Sequence, residues 1–518
     1  MRCQVWSLVC LLLVGLCGGT MVAQAADKGS AAADKKWFDD RAANRSGREG
    51  MYKGAAADRI ERAKKAVVVA LELVKKAAEQ RVPGQNESFT HIIEFIERLD
   101  PAQAAAVKTA VAALPAEPAT ADPKLVKAWD AFFKSKRLAL TKPTEVLGQK
   151  ALDLSVTDIA YDCLQQVLTY EPDHASLRKA LNQTKVDGRY YGPKDMELVK
   201  AGLRWDTKHG WVIAKDAARY EKGDYFDLQS KAWTTLEAAN AMRADAAKQW
   251  TIQTEHLELR GTAKLAELVD AANKLEAFYS QIFASYSLFF SKGQGDVKLI
   301  FGLLDHPRLV INIAKDPTAY KASLPSGVPA GFSAGMWVPA VGASFFYTGP
   351  MMVMYHEFTH QILDVFSSGS RAEVWAIEGI AVYTQAPTFA DGELTLGELA
   401  KNGMVRNHFL RVAAGNAMTL DQLMALDHAR WAAAADPGAQ YAAAGALAQF
   451  CMEADNRRYR SDYVEFMRDS YLGRTQGHTM WDYLGLSRED FVYAYKAWEK
   501  ATGALLAGGG KAPAAPQN

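Results

Sequence analysis

The stretch "MYHEFTHQILD", residues 354–364, sets His356 and His360 four positions apart, with Glu357 directly after the first. On an α-helix, residues four apart differ by only about 40° around the axis and sit one turn apart. Both imidazoles are therefore aimed at one point, where a divalent metal can accept them. Glu357 falls about 100° further round, near that point yet turned from direct coordination. A carboxylate so placed can take a proton from an attacking water. Met352, Val353, Ile362, Leu363 and Phe366 give the helix an apolar body to bury, and Tyr355 and Phe358 are expected to flank the histidines.

A third ligand is needed to complete such a site. Seventeen residues separate His360 from Glu378, which stands alone among apolar residues in "EVWAIEGIAVYTQ". A solitary buried carboxylate is heavily penalised unless a partner compensates its charge. Metal coordination supplies that partner, and Gly379 beside it leaves room for a close helix. Two histidines, one glutamate and an open position form the catalytic pattern of zinc, not its closed structural one. One zinc ion is the expected cofactor.

"HEFTH" followed by "WAIEGIAVY" resembles the gluzincin metallopeptidases, the group that holds thermolysin and the aminopeptidase N relatives. It is most similar to the peptidase MA-like domain of secreted bacterial proteins, in which a helical, often tetratricopeptide-like region precedes the zinc domain. The resemblance spans roughly residues 248–502 and implies zinc-dependent hydrolysis of peptide bonds, with His356, His360 and Glu378 as ligands and Glu357 as general base. It also implies a tyrosine that donates to the oxyanion. Tyr441, in "QYAAAGALAQF" and 63 residues beyond Glu378, fits that role, with His408, His428 and His478 as rival donors.

Three departures qualify the likeness. The interval to Glu378 is one residue shorter than the aminopeptidase pattern. Val382 stands where a thermolysin-type aspartate would orient a histidine, so another group must do so, with Asp364 and Glu373 as candidates. The Gly-Ala-Met-Glu-Asn exopeptidase signature is missing upstream, which favours endopeptidase action. The competing function is a catalytically idle zinc domain in a scaffold or binding protein that acts through its helical N-terminal half. An idle domain has no need of Glu357.

The elements that must position these residues read as an α+β chain: an N-terminal α-helical region, then a thermolysin/gluzincin-like domain with a mixed sheet and a helical C-terminal part. "WTIQTEHLELRG" alternates as a strand, and "AKLAELVDAANKLEAFYSQIF" is a long amphipathic helix. "DVKLIFGLL", "PRLVINIA" and "GMWVPAVGASFFYTG" read as further strands, the last offering an edge near residues 335–347 for an extended substrate. Upstream, residues 55–184 follow a helical period throughout, with a stripe at Val67, Ala70, Leu71 and Val74. Within it, "ALDLSVTDIAYDCLQQVLTYEPDHASLRKAL" looks like one tetratricopeptide-type unit, with a turn at Glu171 to Asp173 and a second helix beginning near Ala175, although a helical domain without repeats reads equally well. Residues 185–247 read as a linker module with a strand at Gly210 to Ile213, residues 26–54 as a flexible leader, and residues 503–518 as a disordered tail.

The start of the chain carries Arg2, an apolar run from Val5 to Leu16 and the triplet Ala23-Gln24-Ala25. This reads as a signal peptide over residues 1–25, cleaved near Ala25, which implies export to a periplasmic or extracellular space. Three of the five cysteines would leave with it, and Cys163 and Cys451 are expected as buried free thiols. A net charge of +1 over 518 residues gives no field that would draw nucleic acid. No other apolar run is long enough to span a bilayer, so stable membrane insertion is not expected. The expected partners are a peptide or protein substrate and a protein held by the helical region. Walker loops, dinucleotide fingerprints, nucleophile elbows and cysteine zinc pairs are all missing.

Overall fold

A computed structural model describes residues 31–291, 296–328, 333–367, 372–390 and 393–507 of the chain. The signal peptide read over residues 1–25 lies outside them, as does most of the tail from residue 508. The chain divides into two compact units. One takes Ala42–Asn182 with Ala284–Leu303; the other takes the residues up to Arg41 together with Gln183–Phe283 and Leu304–Asn518.

The first of these units is helical. Its core joins Ala63, Ala66, Ala70, Leu73 and Ala77 of the long helix Ala31–Glu79 to Phe89, Ile92, Phe95 and Ile96 of the helix Gln85–Leu99. The buried stripe thus runs through alanines and Leu73, while Leu71, expected on it, is exposed. Small residues at this seam let the helix axes approach closely. The segment read as a flexible leader is helical from Ala31 onward, which corrects that expectation. Packing holds it in that form: Tyr52 is buried in the core, and Arg48, also buried, donates to the Leu154 carbonyl at 3.0 Å. Of the tetratricopeptide-type unit, the first helix, the turn and a second helix starting at Ala175 are present, but the second is short. The helix Thr157–Tyr170 is followed by one that ends after six residues, Ala175–Ala180, and leads straight into a strand.

In the other unit, the expected linker module belongs with the sheet that follows it and contains three hairpins, each followed by a short helix. The hairpins pair Thr184–Val186 with Arg189–Tyr191, Leu203–Asp206 with Gly210–Ile213, and Asp224–Asp227 with Ala232–Thr235. In the first, Asp187 and Gly188 both take positive φ, which is the two-residue turn that Asp-Gly favours. The third is tied down by Asp227, which accepts from Arg243 at 2.5 Å with both side chains under a tenth exposed. Burial works against the Asp227 charge, yet Arg243, the Gln229 N–H and the Ser230 hydroxyl outweigh it and hold the carboxyl below its usual range. A carboxyl held low contributes stability above its unfolded pKa of about 3.9 and loses it as pH falls through the folded value. Asp227→Asn is therefore expected to cost about 3–5 kcal/mol at neutral pH, since Arg243 stays buried without its counter-charge. It should also flatten the acid limb of the stability curve, and denaturant melts across pH 2–7 measure both effects.

The sheet has five strands: β1 Trp250–Gln253, β2 Leu257–Gly261, β3 Leu309–Ala314, β4 Gly335–Val338 and β5 Ala343–Tyr347. Their order is β4-β5-β3-β2-β1, antiparallel at each end and parallel through β5, β3 and β2. The architecture is thus α+β around a mixed sheet. "WTIQTEHLELRG" makes a hairpin of two strands, and "DVKLIFGLL" is not a strand: residues Val297–Ile300 form a helical turn capped by Asp296. A side-chain cap at position 296 outcompetes the strand preference of so short a run. The long helix α1, Leu265–Phe290, buries Leu268, Val269, Leu275, Phe278 and Ile282. The C-terminal helix Arg488–Ala507 runs five residues past the expected boundary at 502. Cys163 and Cys451 are buried free thiols, as expected. No helix among the described residues is long and apolar enough to cross a membrane.

Candidate metal centre

Helix α2, Met351–Ser367, starts directly after Gly349 and Pro350. Proline there pre-sets the first turn without losing a needed hydrogen bond. The helix is buried on nearly every side. Two polar ties seat it on the sheet: Ser344 donates to Gln361 at 2.8 Å, and the Gln361 amide donates to the Val310 carbonyl at 3.1 Å. Tyr355 and Phe358 do not flank the histidines but pack on Phe278 of α1, with ring centroids 4.7 and 6.1 Å away. Met352, expected in the apolar body, is exposed.

Helix α3, Val374–Thr384, carries Glu378, and helix α5, Pro437–Arg457, packs across it; helix α4, Gly403–Ala413, packs on α5 in turn. Small residues allow the close approach of α3 and α5. A Cβ on Gly379 would stand 2.7 Å from the Ala444 carbonyl oxygen, and one on Gly445 would stand 2.3 Å from a Val382 methyl. Gly379→Ala must push against backbone, so it is expected to cost about 1–3 kcal/mol. Because Gly379 adjoins Glu378, the same variant should also weaken metal uptake, which a melt paired with a metal titration tests.

The structure brings the three expected ligands together. His356 Nε2 lies 3.2 Å from Glu378 Oε2, His360 Nε2 lies 3.2 Å from His356 Nε2, and His360 Nε2 lies 3.5 Å from Glu378 Oε2. Donors about 2.0–2.1 Å from a tetrahedral ion are separated by about 3.3–3.4 Å along the tetrahedron's edges. The observed triangle matches that size. His356 and Glu378 are almost fully buried, and His360 slightly less so. Burial alone would raise the Glu378 carboxyl, but the charge of His360 and hydrogen bonds from both imidazoles push it down to about 2. Burial likewise opposes a charge on His360, and Glu378, then Glu357 and Asp364, raise its pKa nonetheless. The pocket favours positive charge at the point where the three donors converge.

Around the triangle, Glu357 is buried and its Oε2 accepts from the Trp337 N–H at 2.9 Å. Trp337 lies on β4, the edge strand, and its indole donates to Asp364 at 3.0 Å. Asp364, a candidate for orienting the histidines, is thus engaged with that indole. Glu373, the other candidate, is exposed at the start of α3. The group that meets His356 is one the sequence reading missed: Gln385 Oε1 lies 3.1 Å from His356 Nδ1. A polar residue just past a helix end reads as an ordinary cap, so nothing in the sequence set Gln385 apart.

Tyr441, in the first turns of α5, sets its ring 6.2 Å from the His356 ring and 5.1 Å from Trp431. The rival donors are held elsewhere. His408 is buried against Glu499 at 2.5 Å, His478 stacks on Trp37 at 3.9 Å, and His428 is exposed. Set against family models, characterised proteins and solved structures, the chain finds no match. The functional reading accordingly stands on the geometry of the site.

Proposed function

We propose that this chain is a zinc-dependent metallopeptidase of gluzincin type, exported from the cell and acting on peptide or protein substrates. The observation that carries the reading is the triangle of His356, His360 and Glu378 donor atoms, buried and sized for one tetrahedral ion. A mixed sheet whose edge strand runs beside the HEFTH helix supports the same assignment.

Zinc held by these residues supplies Lewis acidity toward a scissile carbonyl and makes water a better nucleophile near neutral pH. The chain's own groups do the rest. Glu357 takes the proton of the attacking water and returns it to the leaving amine. The Trp337 N–H holds one Glu357 oxygen in place. Tyr441 donates its phenolic hydrogen to the oxyanion that develops on the substrate carbonyl. Edge strand β4 aligns an extended peptide by main-chain pairing. The helical unit is read as the surface that holds a protein partner.

The test is digestion of a proteome-derived peptide library by the purified, zinc-loaded chain, with cut sites read by mass spectrometry. Cuts that vanish on chelation and return with zinc are expected. Zinc bound without any cleavage would favour the scaffold reading instead.

A further inference from the structure

We propose that Gln385 is the positioning residue of the metal centre, fixing both the tautomer and the aim of His356. The inference rests on the metal reading above and adds what holds the first ligand. Gln385 follows the last turn of α3 and is 5% exposed. Glu378, Val382 and Gln385 fall at i, i+4 and i+7, one face of that helix. Val382 is committed to packing, since its methyl fills the space beside Gly445. The next polar side chain on the face is therefore the one that reaches His356.

An amide oxygen facing Nδ1 requires the Nδ1–H tautomer, in which Nε2 keeps its lone pair for a metal. The opposite amide orientation would place an N–H against Nδ1 and leave the proton on Nε2, where it blocks coordination. The observed orientation has a price: the Gln385 amide nitrogen is buried with no hydrogen-bond partner among the described residues. An unsatisfied buried donor is destabilising, and the hydrogen bond its amide oxygen makes to His356 is what the arrangement gains in return. Gln385 is also neutral. A carboxylate here would add a third negative group to a pocket that already buries Glu357 and Glu378.

The experiment is zinc affinity of the full-length chain by competition with a chromophoric chelator, for wild type, Gln385→Met and Gln385→Glu. Far-UV circular dichroism checks that each is folded. Methionine keeps the volume and removes the acceptor, and should weaken zinc binding by about 10–100-fold. Glutamate restores an acceptor and should stay within about threefold of wild type or bind tighter, because an acceptor at this position raises ligand basicity. The cobalt-substituted chain should change its visible absorption in Gln385→Met and keep it in Gln385→Glu. If Gln385→Met does not fold, the glutamate variant decides alone: a loss of tenfold or more overturns the proposal. Unchanged affinity in Gln385→Met overturns it too while leaving the metal reading standing. A wild-type chain that takes up no zinc overturns both.

Discussion

Glu357→Gln is expected to lower peptide hydrolysis by about 10²–10⁴-fold, the usual contribution of a positioned general base, while zinc content stays at the wild-type level. Glutamine keeps the shape and can still accept from the Trp337 N–H through its amide oxygen, so the local fold has no reason to change. What it loses is the ability to take a proton. Because the base acts only as the transition state forms, kcat and kcat/KM should fall together and KM should hold. Steady-state assays on a peptide from the library digest measure both constants. Activity within tenfold of wild type would remove Glu357 from the mechanism.

Glu378→Gln is the second large effect. The side chain is 1% exposed and touches both histidines, so the substitution preserves volume and deletes the negative charge that contacts both imidazoles. An amide oxygen is a much poorer zinc ligand than a carboxylate. Zinc affinity should drop by more than the ~10–100-fold typical of residues that only support a ligand. Hydrolysis should disappear at zinc concentrations that saturate the wild type. Calorimetric titration reads the affinity, and a retained wild-type value would place the third ligand elsewhere.

Much of the candidate site was legible because its signals are local. The spacing of His356 and His360 needs only helix geometry, and Glu378 stood out as a carboxylate among apolar neighbours. What escaped depends on contacts between distant segments. Gln385 and Trp337 matter through His356 and Glu357, 29 and 20 positions away, and nothing in their immediate sequence marks them. Asp364 sits one turn beyond His360, which made it a natural candidate, yet its partner is the Trp337 indole. Two of the hairpins between residues 184 and 235 went unread because strands of three or four residues are too short to display alternation. The hairpin between them in the chain lost only its first strand, Leu203–Asp206. The Asp187-Gly188 turn was the readable cue. At the other extreme, the first third of the helix over Ala31–Glu79 looked like leader because its partners are distant in sequence: Trp37 stacks on His478, and Arg41 pairs with Asp462 and Glu465.

X-ray absorption at the zinc edge of the purified full-length chain tests the central claim most directly. The account predicts one zinc per chain, bound by two imidazoles, one carboxylate and one further oxygen at about 2.0–2.1 Å. Zinc bound through sulfur, zinc with fewer than two imidazoles, or a chain that leaves zinc-supplemented purification without the metal would contradict it.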